Sequence, residues 1–254
     1  MKAKIRKKIA AALGAAFLIT TMSQVYSDEG MWLYDDPPLE QLQARYGYRP
    51  DAQWLEHLQK SSVRFINGGS GSFISEDGLV ISNHHVGAGA LEKLSTQEKN
   101  ILADGFYAGS PAGELKCHDL ELNVLMSIED VTERVNAAIK PEMSPEEALK
   151  ARRAVMSRLE KESLEATGLR SDVVTLFQGG KYSLYRYKRY TDVRLVFAPE
   201  SDIGFFGGDP DNFEYPRYNL DISLFRVYEE DKPAKVEHYL RWSPNGVSDG
   251  ELIF

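Results

Sequence analysis

GGSGSFISEDGLVISNHHV, residues 68–86, reads as strand, turn and strand. Phe73 and Ile74 end one apolar run, Glu76-Asp77-Gly78 turns the chain, and Leu79-Val80-Ile81 starts the return. This hairpin leads directly into His84 and His85, followed by Val86 and the small residues of GAGA. A neutral imidazole can take a proton near physiological pH, and a strand end that meets small residues can present one at the rim of a β-barrel. Acting as a base, the ring needs a carboxylate that fixes its tautomer and stabilises the imidazolium. NLDISLF, residues 219–225, offers one: Asp221 opens an alternating stretch in which Ile222, Leu224 and Phe225 are expected to pack. Taken singly, a histidine at a strand end or an aspartate before a strand is an ordinary surface or turn residue. The order glycine-rich hairpin, histidine, aspartate is far more specific.

Around this pair the chain is mainly β with helical insertions. LEQLQARYGY (39–48) and DAQWLEHLQKSSVRF (51–65) read as helical, the second with Trp54, Leu55 and Leu58 at helical spacing. LELNVLMSIEDVTERV (120–135) reads as a strand with a helical sequel. Ser144-Pro145-Glu146-Glu147 is a capping box with proline at the first helical position, and it predicts a helix running to Gly168. Aromatic and β-branched residues return in SDVVTLFQGGKYSLYRYKRYTDVRLVFAP (171–199), with Gly179-Gly180 as the turn. WSPNGVSDGELIF (242–254) is expected to be a further strand, stopping in mid-element.

MKAKIRKK places five cations ahead of the apolar run IAAALGAAFLITTM, which predicts a secretory signal over residues 1–27 and a mature part over 28–254. The apolar run has roughly 14 residues against the ~20 of a spanning helix, so no membrane span is expected. Removing Lys2, Lys4, Arg6, Lys7 and Lys8 moves the formal charge from −8 to about −13, which argues against a nucleic-acid partner. The alternating basic and tyrosine residues of YSLYRYKRY fit a half-buried strand instead. Cys117 is the single cysteine; it is either a buried small hydrophobe or the partner of a cysteine on chain not present here.

GGSGSFISEDGLVISNHHV resembles the histidine segment of chymotrypsin-like serine peptidases. With DEGMW and GDPDNFEYPRYNLDISLFR, the match from about Asp28 to the last residue resembles the bacterial dipeptidyl-peptidase 7 and dipeptidyl-peptidase 11 family. The resemblance implies exported serine exopeptidases, periplasmic or surface-associated in a Gram-negative bacterium, that release dipeptides from peptides with free N-termini. It implies a double-barrel chymotrypsin-like domain of which this chain is the N-terminal part, no cofactor, and a homodimer for the longer protein. Carried over by position, His85 is the base, Asp221 orients it, Asn212 receives the substrate's free amino group and Phe213 lines that pocket. An acceptor beside an aromatic wall suits an ammonium group.

The nucleophilic serine of that family lies in a Gly-x-Ser-Gly-type turn after an inserted helical domain, and neither is found in this chain. Ser70 and Ser72 precede the histidine, and Ser223, Ser243 and Ser248 lack the flanking glycines that shape an oxyanion hole. A truncated and nearly inactive form is therefore expected, with an apolar face where the second barrel belongs. Two other classes compete. One is an exported trypsin-like domain that binds peptides without cutting them. The other, a metal site of His84, His85 and His118, is disfavoured because neighbours on a strand point to opposite faces.

Overall fold

A computed structural model of the chain describes residues 32–253. The signal expected over 1–27 lies outside them. Helices α1 (Leu39–Tyr46) and α2 (Ala52–Ser61) come first, the second opened by Asp51, whose carboxylate accepts from the Trp54 amide at 2.7 Å. Strands β1 (Ser62–Phe65), β2 (Ser70–Phe73) and β3 (Leu79–Ser82) follow. The β2–β3 pair is the hairpin read from residues 68–86, with Phe73 opposite Val80 and Gly78 supplying the positive φ of 73° in its turn.

Helix α3 (His84–Leu94) starts immediately after β3, and the short elements α4 (Ile101–Asp104), β4 (Phe106–Tyr107) and β5 (Leu115–Lys116) lead to β6 (Leu122–Asp130). Then come α5 (Thr132–Asn136) and α6 (Pro145–Thr167). The capping box forms as read: the Glu147 amide donates to Ser144 Oγ at 3.3 Å and the Ser144 amide to Glu147 Oε2 at 2.9 Å. Strands β7 (Arg170–Leu176), β8 (Lys181–Tyr190) and β9 (Asp192–Ala198) precede two short helices, α7 (Ser201–Gly204) and α8 (Gly208–Asn212). The described part closes with β10 (Ser223–Glu229) and β11 (Lys232–Pro233).

The strands pair antiparallel in the order β4-β9-β10-β3-β2-β1-β6-β8-β7, with β5 beside β9 and β11 beside β10. Thr191 alone separates β8 from β9, yet the two strands stand six strand spacings apart along that path, about 29 Å in a flat sheet at ~4.8 Å per spacing. The sheet is therefore rolled until its arms meet across the core. Inside the roll lie Phe65, Phe73, Val80, Leu122, Leu195 and Phe225, all shut off from solvent, with Phe65 and Phe225 edge to face at 5.7 Å. Each contributes roughly 1.5–3 kcal/mol by burial. Cys117 belongs to this core, where desolvation pushes its thiol up to about 12 against a backbone hydrogen bond near Leu195.

The closed barrel expected from the sequence does not form among the described residues, because β8 and β9 do not pair and the path ends freely at β4 and β7. The sheet grows sideways instead. A register shift between Leu125 and Ser127 re-aims β6, and the outer parts of β6 and β8 join β7 beneath α6. There Val131, Val135, Leu159, Val173 and Leu184 make a second, smaller core.

The strand expected over 242–254 is also absent from residues 242–253. Two local turns, closed by Gly246 N–H to the Ser243 carbonyl and Glu251 N–H to the Ser248 carbonyl, both at 3.2 Å, occupy this exposed stretch in place of a paired strand. Among the described residues no helix is long and apolar enough to cross a membrane.

Candidate active site

β3 and β10 are hydrogen-bonded neighbours with Ser82 opposite Ser223, so the residue that ends β3 and the residues that enter β10 share one edge of the sheet. Asp221 lies two positions before β10, and His85 is in the first turn of α3. The register thus brings together groups 136 residues apart in sequence. His85 Nδ1 sits 2.7 Å from Asp221 Oδ2, and the His85 amide donates to Asp221 Oδ1 at 3.1 Å. One carboxylate holds both the ring and the backbone of the same residue.

The second of these bonds is a helix cap supplied from a distance. The first amides of a helix have no partner within it, and a carboxylate placed there also meets the positive end of the helix dipole. Asn83 occupies the capping position but its side chain makes no cap bond; Nδ2 donates to Asp221 Oδ2 and to the Asp221 carbonyl, each at 3.2 Å. Buried Ser223 donates to the Asn83 carbonyl at 2.8 Å, and Arg217 Nη2 approaches Asp221 Oδ2 to 3.8 Å. Desolvation works to raise the Asp221 carboxyl, but the His85 amide and ring together with Asn83 outweigh it, and its pKa lies below the ordinary aspartate value.

With Nδ1 turned to the carboxylate, Nε2 is left for a reacting group, and the His85 side chain is 71% exposed while Asp221 is 14% exposed. Helix α3 approaches β10 so closely at Gly87 that a Cβ there would stand 3.0 Å from both Ser223 Oγ and the Phe225 ring, which is why residue 87 is glycine. The two histidines do not alternate across a strand as expected. They start a helix, and His84 turns inward, 6% exposed. Among the described residues no group of three or more His, Cys, Asp or Glu side chains is placed to share a metal ion.

Asn212 ends α8 and Phe213 follows it, both in the β9–β10 connection that also carries Asp221. Asn212 is half-buried and Phe213 almost fully exposed, and no hydrogen bond among the described residues joins either to the His85–Asp221 pair. No hydrogen bond among the described residues joins a candidate serine to the His85 ring. Ser70 and Ser72 lie in β2, Ser223 is committed to Asn83, and Ser243 donates to the Gly246 carbonyl at 2.9 Å. Asn83 and Arg217 escaped the reading of the sequence, and Ser223 was weighed there only as a nucleophile, not as the donor to Asn83; the position of Asn83 directly before the histidines was the one available signal.

A carboxylate-held imidazole on a rolled antiparallel sheet fits a peptidase, and comparison with known proteins agrees: the family model described as Peptidase S46 matches residues 27–254. The chain belongs to the Peptidase S46 family. It is 33% identical over 264 residues to dipeptidyl-peptidase 7 of Capnocytophaga gingivalis, covering 97% of this chain and 37% of that protein. With the Asp/Glu-specific dipeptidyl-peptidase of Porphyromonas gingivalis it shares 31% identity over 278 residues, again 97% of this chain and 37% of the relative. Among solved structures it is similar to Porphyromonas endodontalis DPP11 in complex with the dipeptide Arg-Glu, with a TM-score of 0.73 and 30% identity over 87% of this chain and 35% of that one. The chain spans about a third of the length of the curated relatives it matches.

Proposed function

We propose that this chain supplies the general base and its orienting acid to a serine-type dipeptidyl-peptidase of chymotrypsin-like architecture that releases dipeptides from free peptide N-termini. The observation that carries this reading is the 2.7 Å contact of His85 Nδ1 with Asp221 Oδ2 in a member of the Peptidase S46 family. His85 Nε2 takes the proton from a serine hydroxyl as it attacks the scissile carbonyl and returns it to the leaving amine; Asp221 keeps the ring in the Nδ1–H tautomer and stabilises the imidazolium. Among the described residues no hydroxyl is hydrogen-bonded to the His85 ring, which supports a reading in which the nucleophilic serine is carried by the longer protein and not by residues 32–253. Asn212 and Phe213 take the substrate ammonium in the same reading. Export to the periplasm and a homodimer of the longer protein rest on the family resemblance.

The test is dipeptide release from peptides with free and with acetylated N-termini, followed by mass spectrometry on the longer protein that contains this chain. His85→Ala and Asp221→Asn are each expected to lower kcat by roughly 10⁴-fold. Asn212→Ala is expected to act through KM for free N-termini. Residues 1–254 alone are expected to bind such peptides without appreciable turnover. Full activity in the His85→Ala protein would end the assignment of His85 as the base; peptide binding without any dipeptide release by the parent protein would leave the peptide-binding reading.

A further inference from the structure

Two histidines stand side by side and only one faces Asp221 with its ring. The other is enclosed. His84 packs its ring against Gly204 at the end of α7, where an added Cβ would lie 2.9 Å from both Cγ and Nδ1 of the imidazole. Cβ atoms do not approach other atoms that closely, so the backbone of α7 reaches the ring only because residue 204 is glycine. The Pro199 backbone lies on the same flank and favours the charged ring, yet burial prevails and keeps the pKa below the ordinary histidine value. Nε2 is buried with no hydrogen-bond partner among the described residues, which a neutral ring tolerates far better than an imidazolium.

What lies beyond Gly204 gives this packing a consequence. The Ile203 carbonyl accepts from the Leu220 amide at 2.9 Å, and the Gly204 amide donates to the Glu200 carbonyl at 3.0 Å. Leu220 directly precedes Asp221, and Asp221 returns to the His85 ring and amide. The path His84, Gly204, Ile203, Leu220, Asp221, His85 is a closed loop of contacts and bonds. It spans both ends of a connection of 24 residues, 199–222, that is otherwise largely exposed.

We propose that His84 is a positioning residue, a neutral wedge between the first turn of α3 and Gly204 that fixes the β9–β10 connection and so delivers Asp221 to His85. The proposal rests on reading His85–Asp221 as the functional pair, but its test does not depend on hydrolysis. Amide hydrogen exchange, read by NMR on this chain, reports the loop at two defined points. These are the His85 amide, bonded to Asp221 Oδ1, and the Leu220 amide, bonded to the Ile203 carbonyl. The Val131 amide, bonded to the Tyr182 carbonyl at 2.9 Å in the second core, serves as the remote reference.

In His84→Ala the wedge is removed, and in Gly204→Ala the ring is pushed out with the His84 side chain intact. Each is expected to lower protection of the His85 and Leu220 amides about tenfold or more while Val131 is unchanged. His84→Gln, which keeps a polar group of similar reach, is expected to retain more protection than His84→Ala. Unchanged protection at His85 and Leu220 overturns the proposal. Equal losses at all three amides do the same, since they reduce His84 to general packing. Should His84→Ala fail to fold, Gly204→Ala and His84→Gln decide the question. A failure of the His85–Asp221 assignment appears separately, as dipeptide release that survives His85→Ala.

Discussion

His84 and Asp221 give the protein two separate acid sensitivities, because their pKa values are both lowered on folding but from different starting points. Unfolded, the imidazole titrates near ~6.5. Desolvation holds the native His84 ring below that, against the pull of Asp221 and with the push of His85, the two ionisable groups that face it. The unfolded chain therefore binds more protons once the pH drops beneath ~6.5, and the stability conferred by the neutral ring is present above that value and declines as the pH falls towards the native pKa. The slope cannot exceed about 1.4 kcal/mol per pH unit for one group. For Asp221 the stabilisation is present above the ordinary carboxylate value of ~3.9 and is lost as the pH falls through the lower native one. Urea midpoints measured from pH 8 to pH 3 should show both arms. His84→Gln should flatten the arm below ~6.5, and Asp221→Asn should make the arm below ~3.9 shallower without removing it, because Asp77, Asp130 and Asp192 are also lowered on folding; an unaltered upper arm in His84→Gln would show that the ring is not buried neutral. At this scale His85 and Asp221 were legible from their order in the chain. The inward turn of His84 and the grip of Asn83, Ser223 and Arg217 were not, since they follow from the register of β3 against β10.

Helices α3 and α6 form for opposite reasons, which decides what each loses on mutation. α6 is written locally: proline at its first position, a capping box at its start, Gly168 in the left-handed conformation at its end, and Val155 and Leu159 inward. Its outline could be read from the sequence for that reason. α3 begins HHVGAGA, a run with two glycines and poor intrinsic helicity, and the sequence suggested only a strand end. It is helical because Gly87 allows close packing on β10 and because Asp221 caps it from afar. Ser144→Ala should therefore cost about 1 kcal/mol by loss of a local cap, and Leu159→Ala, buried at 2% exposure in the second core, about 2–5 kcal/mol. Denaturant titration checks both. Hydrogen exchange should confine the Leu159→Ala effect largely to α6, β7 and the outer half of β8; a loss spread evenly through β1, β2 and β3 would mean that the two cores unfold as one.

On the scale of the whole molecule, the apolar surface is not spread evenly. The rolled sheet encloses its large side chains, while the β9–β10 connection leaves Phe205, Phe206, Phe213, Tyr215 and Tyr218 in solvent, at 47%, 53%, 89%, 97% and 72% exposure. The alternating strands made the core readable; the connection has no such period, and its exposed aromatics were not read from the sequence, which led only to the expectation of an apolar face where a second barrel belongs. Soluble monomers rarely expose apolar patches beyond a few hundred Å², so this surface should drive association of the isolated chain. A formal charge of −8 opposes it, and that repulsion weakens as the Debye length shortens from ~10 Å at 0.1 M salt to ~3 Å at 1 M. Apolar contact is not weakened by salt. The average mass in sedimentation equilibrium should then rise with protein concentration and rise further with salt. Phe206→Glu combined with Tyr215→Glu should return the chain to monomer without shifting its denaturant midpoint, because neither side chain is part of either core. A chain that stays monomeric at high protein and high salt, or a double variant that associates as strongly as the parent, would place the driving surface elsewhere on the molecule.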